Sequence, residues 1–107
     1  MNIRIRSEMA ADVLAIESVT AAAFRDAPHT SHTEHFIVNA LRDAGQLSVS
    51  LVAEADGDVV GHIAISPVSI SDGSKQWYGL GPVSVSPQRQ RQGIGSQLME
   101  RALDELL

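Results

Sequence analysis

Cysteine is absent from this 107-residue sequence, which excludes a disulfide framework, a thiolate metal site and a thiol nucleophile. Positive charge is scarce. Eight Lys and Arg stand against thirteen Asp and Glu, a formal net charge of −5 with no basic stripe to offset it. Such a field repels a nucleic-acid backbone, so nucleic acid is not an expected partner. No apolar run approaches the length that spans a bilayer, and the start Met1-Asn2-Ile3-Arg4 lacks a secretory apolar segment. A soluble, cytoplasmic chain without a membrane partner is the expectation. Repeats, low-complexity tracts and interdomain linkers are missing too, which leaves at most one domain, and 44% hydrophobic with 20% charged residues suits an ordinary packed core. Two nucleotide signatures are also lacking. No G-K-[ST] triplet exists for a P-loop. Gly79-Leu80-Gly81 falls inside an expected strand and lacks the third glycine position, so it is no dinucleotide fingerprint.

What is present is concentrated in residues 83–107, V-S-V-S-P-Q-R-Q-R-Q-G-I-G-S-Q-L-M-E-R-A-L-D-E-L-L, where a strand, a glycine-containing turn and a helix follow one another without a linker. At such a junction the backbone N–H groups from Arg91 to Ser96 point outward, unpaired within the helix, and the helix dipole adds partial positive charge. A phosphate fits that environment. Gly93 and Gly95 remove the Cβ atoms that would hold a pyrophosphate off those donors, and either can take φ > 0 without strain. A glycine-rich helix entry selected only for tight packing is the competing reading.

Gln90-Arg91-Gln92-Gly93-Ile94-Gly95 fits the Q/R-x-x-G-x-G/A signature of acetyl-CoA binding, and in this frame, after the strand end Val85-Ser86-Pro87 and before a long helix, the chain resembles the GNAT-type N-acetyltransferases. V-V-G-H-I-A-I-S-P-V resembles that family's third strand and G-L-G-P-V-S-V-S-P its fourth. Within the family it is similar to small bacterial acetyltransferases of the YhbS type. The resemblance implies an α/β (α+β) fold, a mixed, mostly antiparallel sheet with helices. It implies acetyl-CoA as cosubstrate, no metal, and a primary amine of a small molecule or protein as acceptor. The pyrophosphate would lie on Gln90, Arg91, Gln92, Gly93, Ile94, Gly95 and Ser96, and the pantetheine amides on the backbone of Val83, Ser84 and Val85. The family continues after this helix with a fifth strand, a fourth helix and a tyrosine often taken as general acid. This sequence therefore reads as a single domain truncated after its third helix, with the C-terminal half missing, and complete catalysis by these residues alone is not expected.

Upstream, Ile3 and Ile5 alternate with Arg4 and Arg6, a half-buried strand. Over residues 10–23, Val13, Ile16, Thr20 and Ala23 recur at helical spacing, with Asp12 in the first turn and no clear N-cap, since Ser7 is early and Met9 has no capping side chain. Ser31-His32-Thr33-Glu34 is a capping box opening a second helix whose buried stripe is Ile37, Ala40, Leu41 and Ala44 and whose end is Gly45. Strands on either side of Asp56-Gly57 form a hairpin. A bend or bulge is expected at Pro67, with pairing resumed over 68–70, then a turn at 71–74 and a fourth strand over about 76–85. In the final helix Ile94, Leu98, Met99, Ala102, Leu103, Leu106 and Leu107 form a broad apolar stripe, and Arg101 and Glu105 an i,i+4 pair.

No residue stands out as general base, so the catalytic group is left unassigned. Glu34 fits its capping role better than catalysis. His62 reads as a partly buried sheet histidine. His29, His32 and His35 gather near one loop without a carboxylate to complete a metal site. Trp77 and Tyr78, adjacent on a strand, face opposite sides, so one of them belongs to the core. Arg89 and Arg91 are as consistent with phosphate contacts as with a solvated surface. The open edge of the fourth strand and the apolar last helix predict a homo-oligomer or association with a C-terminal fragment. A catalytically silent CoA-binding or subunit-interface module is the alternative function.

Overall fold

The structure, a computed structural model, describes residues 3–25, 34–68 and 77–106. Four antiparallel strands, β1 (Ile3–Ser7), β2 (Val49–Ala55), β3 (Asp58–Val68) and β4 (Trp77–Val85), lie in the order β1-β2-β3-β4. Helices α1 (Val13–Phe24) and α2 (Glu34–Asp43) cover one face, and α3 (Ile94–Leu106) covers the other. Strand alternation sorts the side chains. Leu51, Ala53, Ile63 and Ile65, fully buried, meet Ile94, Leu98 and Ala102 of α3, with Ile3, Ile5, Val83 and Val85 at the margin. Each large apolar side chain buried there contributes roughly 1.5–3 kcal/mol. Val52 points the opposite way and packs under Ile16 of α1 and Val38 of α2.

Asp56 and Gly57 join β2 to β3 with φ of +52° and +87°, the left-handed pair that matches the twist of a two-residue hairpin. One extra residue on β3 interrupts the pairing next to it, since Ala53 faces Gly61 and Glu54 faces Val59. Val59 therefore joins the α1/α2 side and Val60 the α3 side. The irregularity expected at Pro67 lies elsewhere. Pro67 pairs with Tyr78 in regular register, and the extra residue sits on β4 around Gly81-Pro82, between the pairs Ile63–Val83 and Ile65–Leu80. Pro67 lies beyond Ile65, the last β3 residue paired with β2, where β3 has a single neighbour and a residue without an N–H is tolerated. Residues 69–76, with the expected turn, lie outside the described residues.

Helix α1 begins later than its apolar period suggested, after a 3-10 turn over Ala10–Asp12. Asp12 caps this turn from within: its Oδ2 accepts the Met9 N–H at 2.7 Å, and its own N–H donates to the Met9 carbonyl at 2.9 Å. The expected Asp12, a charge serving the dipole from the first turn, is instead a buried ion-pair partner of Arg6.

Helix α2 departs most from its expected face. Val38 is buried and Leu41 half-buried, whereas Ile37 is 46% exposed and Ala40 and Ala44 face solvent. The stripe is thus rotated from the one expected, because α2 contributes only a narrow contact beside α1. Its end is as expected: Gly45 has φ +70°, the Gln46 N–H donates to the Leu41 carbonyl at 2.8 Å and the Gly45 N–H to Arg42 at 3.1 Å, a Schellman closure. Residues 31–33 of the expected capping box lie outside the described residues. On α3 the buried stripe is narrower than expected, with Met99 38% and Leu103 47% exposed. Leu107 is outside the described residues, and Arg101 and Glu105 do pair, at 3.5 Å on the exposed face, a contact of little energetic weight.

Candidate functional site

The end of β4 is fixed to the sheet before the chain turns. The Ser86 N–H donates to the Val60 carbonyl at 2.8 Å. Pro87, whose ring presets φ, opens a 3-10 turn over Pro87–Arg89, closed by the Arg89 N–H on the Ser86 carbonyl at 2.8 Å. Gln90 then reaches back, its Nε2 donating to the Val85 carbonyl at 3.1 Å. Two left-handed residues follow, Arg91 at φ +65° and Gly93 at φ +82°, and α3 starts at Ile94. Its first closing bond runs from the Gln97 N–H to the Gly93 carbonyl at 3.1 Å, so the N–H groups ahead of Gln97 at the helix start have no intrahelical acceptor.

Each residue at this junction has a separable role. A Cβ built on Gly93 meets no atom within 4 Å, so the glycine answers to its positive φ and leaves open space in front of the donors. Gly95 does not share that conformation, contrary to what its freedom allowed. It is helical, and a Cβ there would stand 3.8 Å from Val85 and 4.0 Å from Val83, ordinary contact against β4. Ile94 is buried in the α3 core, 1% exposed, and offers only its backbone. Gln92 and Ser96 are exposed, as are Gln90 and Arg91, while Arg89 is half-buried. The first turn of α3 carries no acidic residue, and Asp104 and Glu105 stand near its far end. That is the reverse of what the helix dipole favours, and it leaves the positive end free of a competing carboxylate. Of the strand residues, Val83 and Val85 turn toward α3 while Ser84 turns to the opposite face and is fully buried.

The larger polar constellation lies on that opposite face, and sequence reasoning missed it. His62 is wholly buried rather than partly so, and its Nε2 lies 2.7 Å from Ser50 Oγ. Ser50 donates to Glu8 Oε1, and Arg42 grips both Glu8 oxygens at 2.8 Å. Arg42 also donates to Asn39 at 2.9 Å, and Asn39 to Glu17 at 3.1 Å. Burial works to raise the Glu8 carboxyl, but hydrogen bonds from Arg42 and Ser50 and the Arg42 charge outweigh it and hold the group below its ordinary value. Burial pushes His62 down to about 4, with Glu8 only partly opposing. His62 is therefore neutral at pH 7 and sealed from any amine substrate. Alongside, Arg6 spans both Asp12 oxygens at 2.7 and 3.1 Å and Glu54 at 2.9 Å, and its hydrogen bond lowers the Asp12 pKa. Strand register and the packing of α1 and α2 on the sheet together bring most of these residues into contact, which is why no local pattern announced them.

The remaining candidates are dispersed. His35 meets Phe36 with ring centroids 4.0 Å apart and planes tilted by 40°, and His29 and His32 lie outside the described residues. No group of three or more His, Asp or Glu that could hold a metal occurs among the described residues. Tyr78 is 46% exposed, and the Trp77 side chain lies outside what is described. A groove of about 390 Å³ runs between Ala15, Ser18, Val19 and Ala22 of α1 and Asp58, Val59 and Ser86. It includes none of residues 90–96. No helix among the described residues is long and apolar enough to cross a membrane.

A four-stranded meander delivers its last strand into a left-handed turn and helix start, and the comparisons assign that arrangement to a family. The acetyltransferase (GNAT) family model matches residues 13–107, and the chain belongs to that family. It is 35% identical over 103 residues to the uncharacterized N-acetyltransferase YhbS of Escherichia coli K12, covering 95% of this chain and 59% of the relative, so it spans about three fifths of that protein. A GNAT family acetyltransferase from Brucella melitensis, solved with acetyl-CoA, superposes with a TM-score of 0.95 at 51% identity over 98% of this chain and 68% of its own. Escherichia coli YhbS with CoA gives 0.84 at 34% identity over 99% and 57%.

Proposed function

We propose that residues 83–85 and 90–96 bind acetyl-CoA, and that the protein transfers its acetyl group to a primary amine of a small molecule or protein. The observation that carries this reading is the turn itself: left-handed Arg91 and Gly93, open space at Gly93, and the unshared N–H groups at the acid-free start of α3. Those groups suit a pyrophosphate, with Arg89 and Arg91 adding charge nearby. The two relatives solved with acetyl-CoA or CoA support the choice of ligand. The backbone of Val83 and Val85, facing the outer edge of β4, would pair with the pantetheine amides, while Ser84 between them turns its carbonyl toward Gly61 of β3. The bound ligand supplies an activated thioester carbonyl. A β4 N–H would polarise that carbonyl, and the incoming amine must be neutral. His62, buried, does not serve as its base, and the base is left unassigned.

Calorimetry with acetyl-CoA on the full-length protein tests the binding reading, and the absence of binding at millimolar ligand would end it. A screen of amines against the same protein then identifies the acceptor. β4 has one neighbouring strand among the described residues, and Tyr78, Leu80, Met99 and Leu103 expose apolar surface on the α3 side of the sheet. That surface supports a second proposal, that another copy or a C-terminal fragment packs along β4 and α3. The alternative function, a catalytically silent CoA-binding or interface module, shares this surface and would bind acetyl-CoA yet acetylate none of the amines.

A further inference from the structure

Three polar side-chain atoms on the α1 side of the sheet, His62 Nδ1, Ser84 Oγ and Thr20 Oγ1, are buried and make no hydrogen bond to the protein. All three residues are 0% exposed. His62 and Ser84 are direct partners in the β3–β4 register, so their side chains leave the same face side by side. Val52 is the partner of His62 on the other flank. Ile16 packs on Val52, and Thr20 lies one turn further along α1, on the same buried stripe. The proton positions in this cluster follow from its far end. The Glu8 carboxylate takes the Ser50 proton, so Ser50 Oγ accepts from His62 Nε2. That fixes the tautomer, with Nε2 protonated and Nδ1 a bare acceptor. Nδ1 needs a donor, each hydroxyl can both give and receive, and the three do not bond one another directly.

We infer that one ordered water molecule is bound between α1, β3 and β4, donating to His62 Nδ1 and bonding to Ser84 Oγ and Thr20 Oγ1. Three polar partners is the usual complement of a buried water, and such a molecule is retained because removing it strands the groups it serves. With the water in place a hydrogen-bonded path runs from Ser84 through His62 and Ser50 to the Glu8–Arg42 pair, crossing β4, β3 and β2 and ending on α2. It ties the strand at the sheet's outer edge to the helices beneath. Nothing in this inference depends on what binds at the turn before α3.

Two readouts test it, neither involving acetyl-CoA. A crystal structure of the full-length protein at a resolution that shows ordered water should contain a single peak within hydrogen-bond distance of all three atoms. An empty space, or a hydroxyl of Ser84 or Thr20 rotated onto His62 Nδ1, would overturn the inference. The variant Thr20→Val/Ser84→Ala separates the cases by sign. If a water satisfies the three groups, removing two of its partners strands His62 Nδ1 and lowers Tm, by about 4–8 °C. If the groups are simple orphans, apolar replacements relieve two buried unpaired hydroxyls, and an unchanged or raised Tm would overturn it as well.

Discussion

Gly61 and Leu98 approach so closely that a Cβ on the glycine would lie 3.1 Å from Leu98 Cδ1, with Ser84 O at 3.2 Å and Ile94 Cγ2 at 3.3 Å. This is where α3 presses on β3, and the missing side chain sets the distance between helix and sheet. The neighbours give unequally: the leucine can rotate, but the Ser84 carbonyl is backbone of the adjoining strand. Gly61→Val should therefore overpack the interface and cost about 1–3 kcal/mol. Urea denaturation followed by circular dichroism checks it. A midpoint equal to that of wild type would mean that α3 shifts outward freely and the contact is no constraint.

Acid should begin to destabilise the fold through His62 before Glu8 and Asp12 contribute. His62 has an ordinary value of 6.5 and is pushed to about 4 by burial. Between those values the unfolded chain holds a proton that the folded chain does not, so stability is flat above pH 6.5 and declines as pH falls toward 4, by roughly 3 kcal/mol in all. Glu8 and Asp12, both held below their ordinary values, begin to add losses near the acid end of that window, as pH falls through those ordinary values, and complete them below it. The variant His62→Gln should flatten the window between 6.5 and 4 in denaturation curves taken across that range. An unaltered slope in that variant would assign the loss to other groups.

At the proposed ligand site, Gly93→Val should raise the Kd for acetyl-CoA about tenfold, or about 1.4 kcal/mol. Its φ of +82° means that the substitution also strains the backbone, so a fold left fully undisturbed is not the expectation. Gly57→Val supplies the control. Gly57 has φ +87° and open space like Gly93 but sits in the β2–β3 hairpin. Both variants should lose stability, and only the first should lose affinity. Isothermal titration of the two decides it. Equal affinities would make the turn a packing device.

Most of the sheet was legible because its signals are local. Asp56-Gly57 demands a hairpin, and alternation in β2 and β3 assigns faces without knowledge of partners. The turn before α3 was legible for the same reason, since Gly93 carries its own conformational signature. The face of α2 was not. Ile37 and Val38 are adjacent apolar residues, and only the position of α1 decides that Val38 goes in while Ile37 stays 46% exposed. The bulge at Gly81-Pro82 was misplaced to Pro67 because a proline's effect depends on whether the strand has a neighbour on each side at that point. His62, Ser50 and Glu8 are far apart in sequence, and no spacing rule encodes their meeting.

Arg6 offers the sharpest electrostatic test. Its alternation with Ile5 puts it on the face of β1 opposite α3, where its side chain is 17% exposed between Asp12 at 9% and Glu54 at 24%. Arg6→Ala strands two carboxylates, one of them also capping the 3-10 turn ahead of α1 by accepting the Met9 N–H. The expected cost is about 2–3 kcal/mol at pH 7, below the figure for a fully buried pair because all three groups retain some solvent. The sign of its pH dependence follows from Asp12, whose pKa the Arg6 hydrogen bond lowers. That contribution is present above the ordinary Asp value and is lost as pH falls through the folded one. The gap between wild type and Arg6→Ala should thus be widest near neutrality and shrink toward pH 3. Urea denaturation of both proteins at the two pH values measures it, and a gap of equal size at each would show that Arg6 stabilises by packing its stem rather than by pairing its charge.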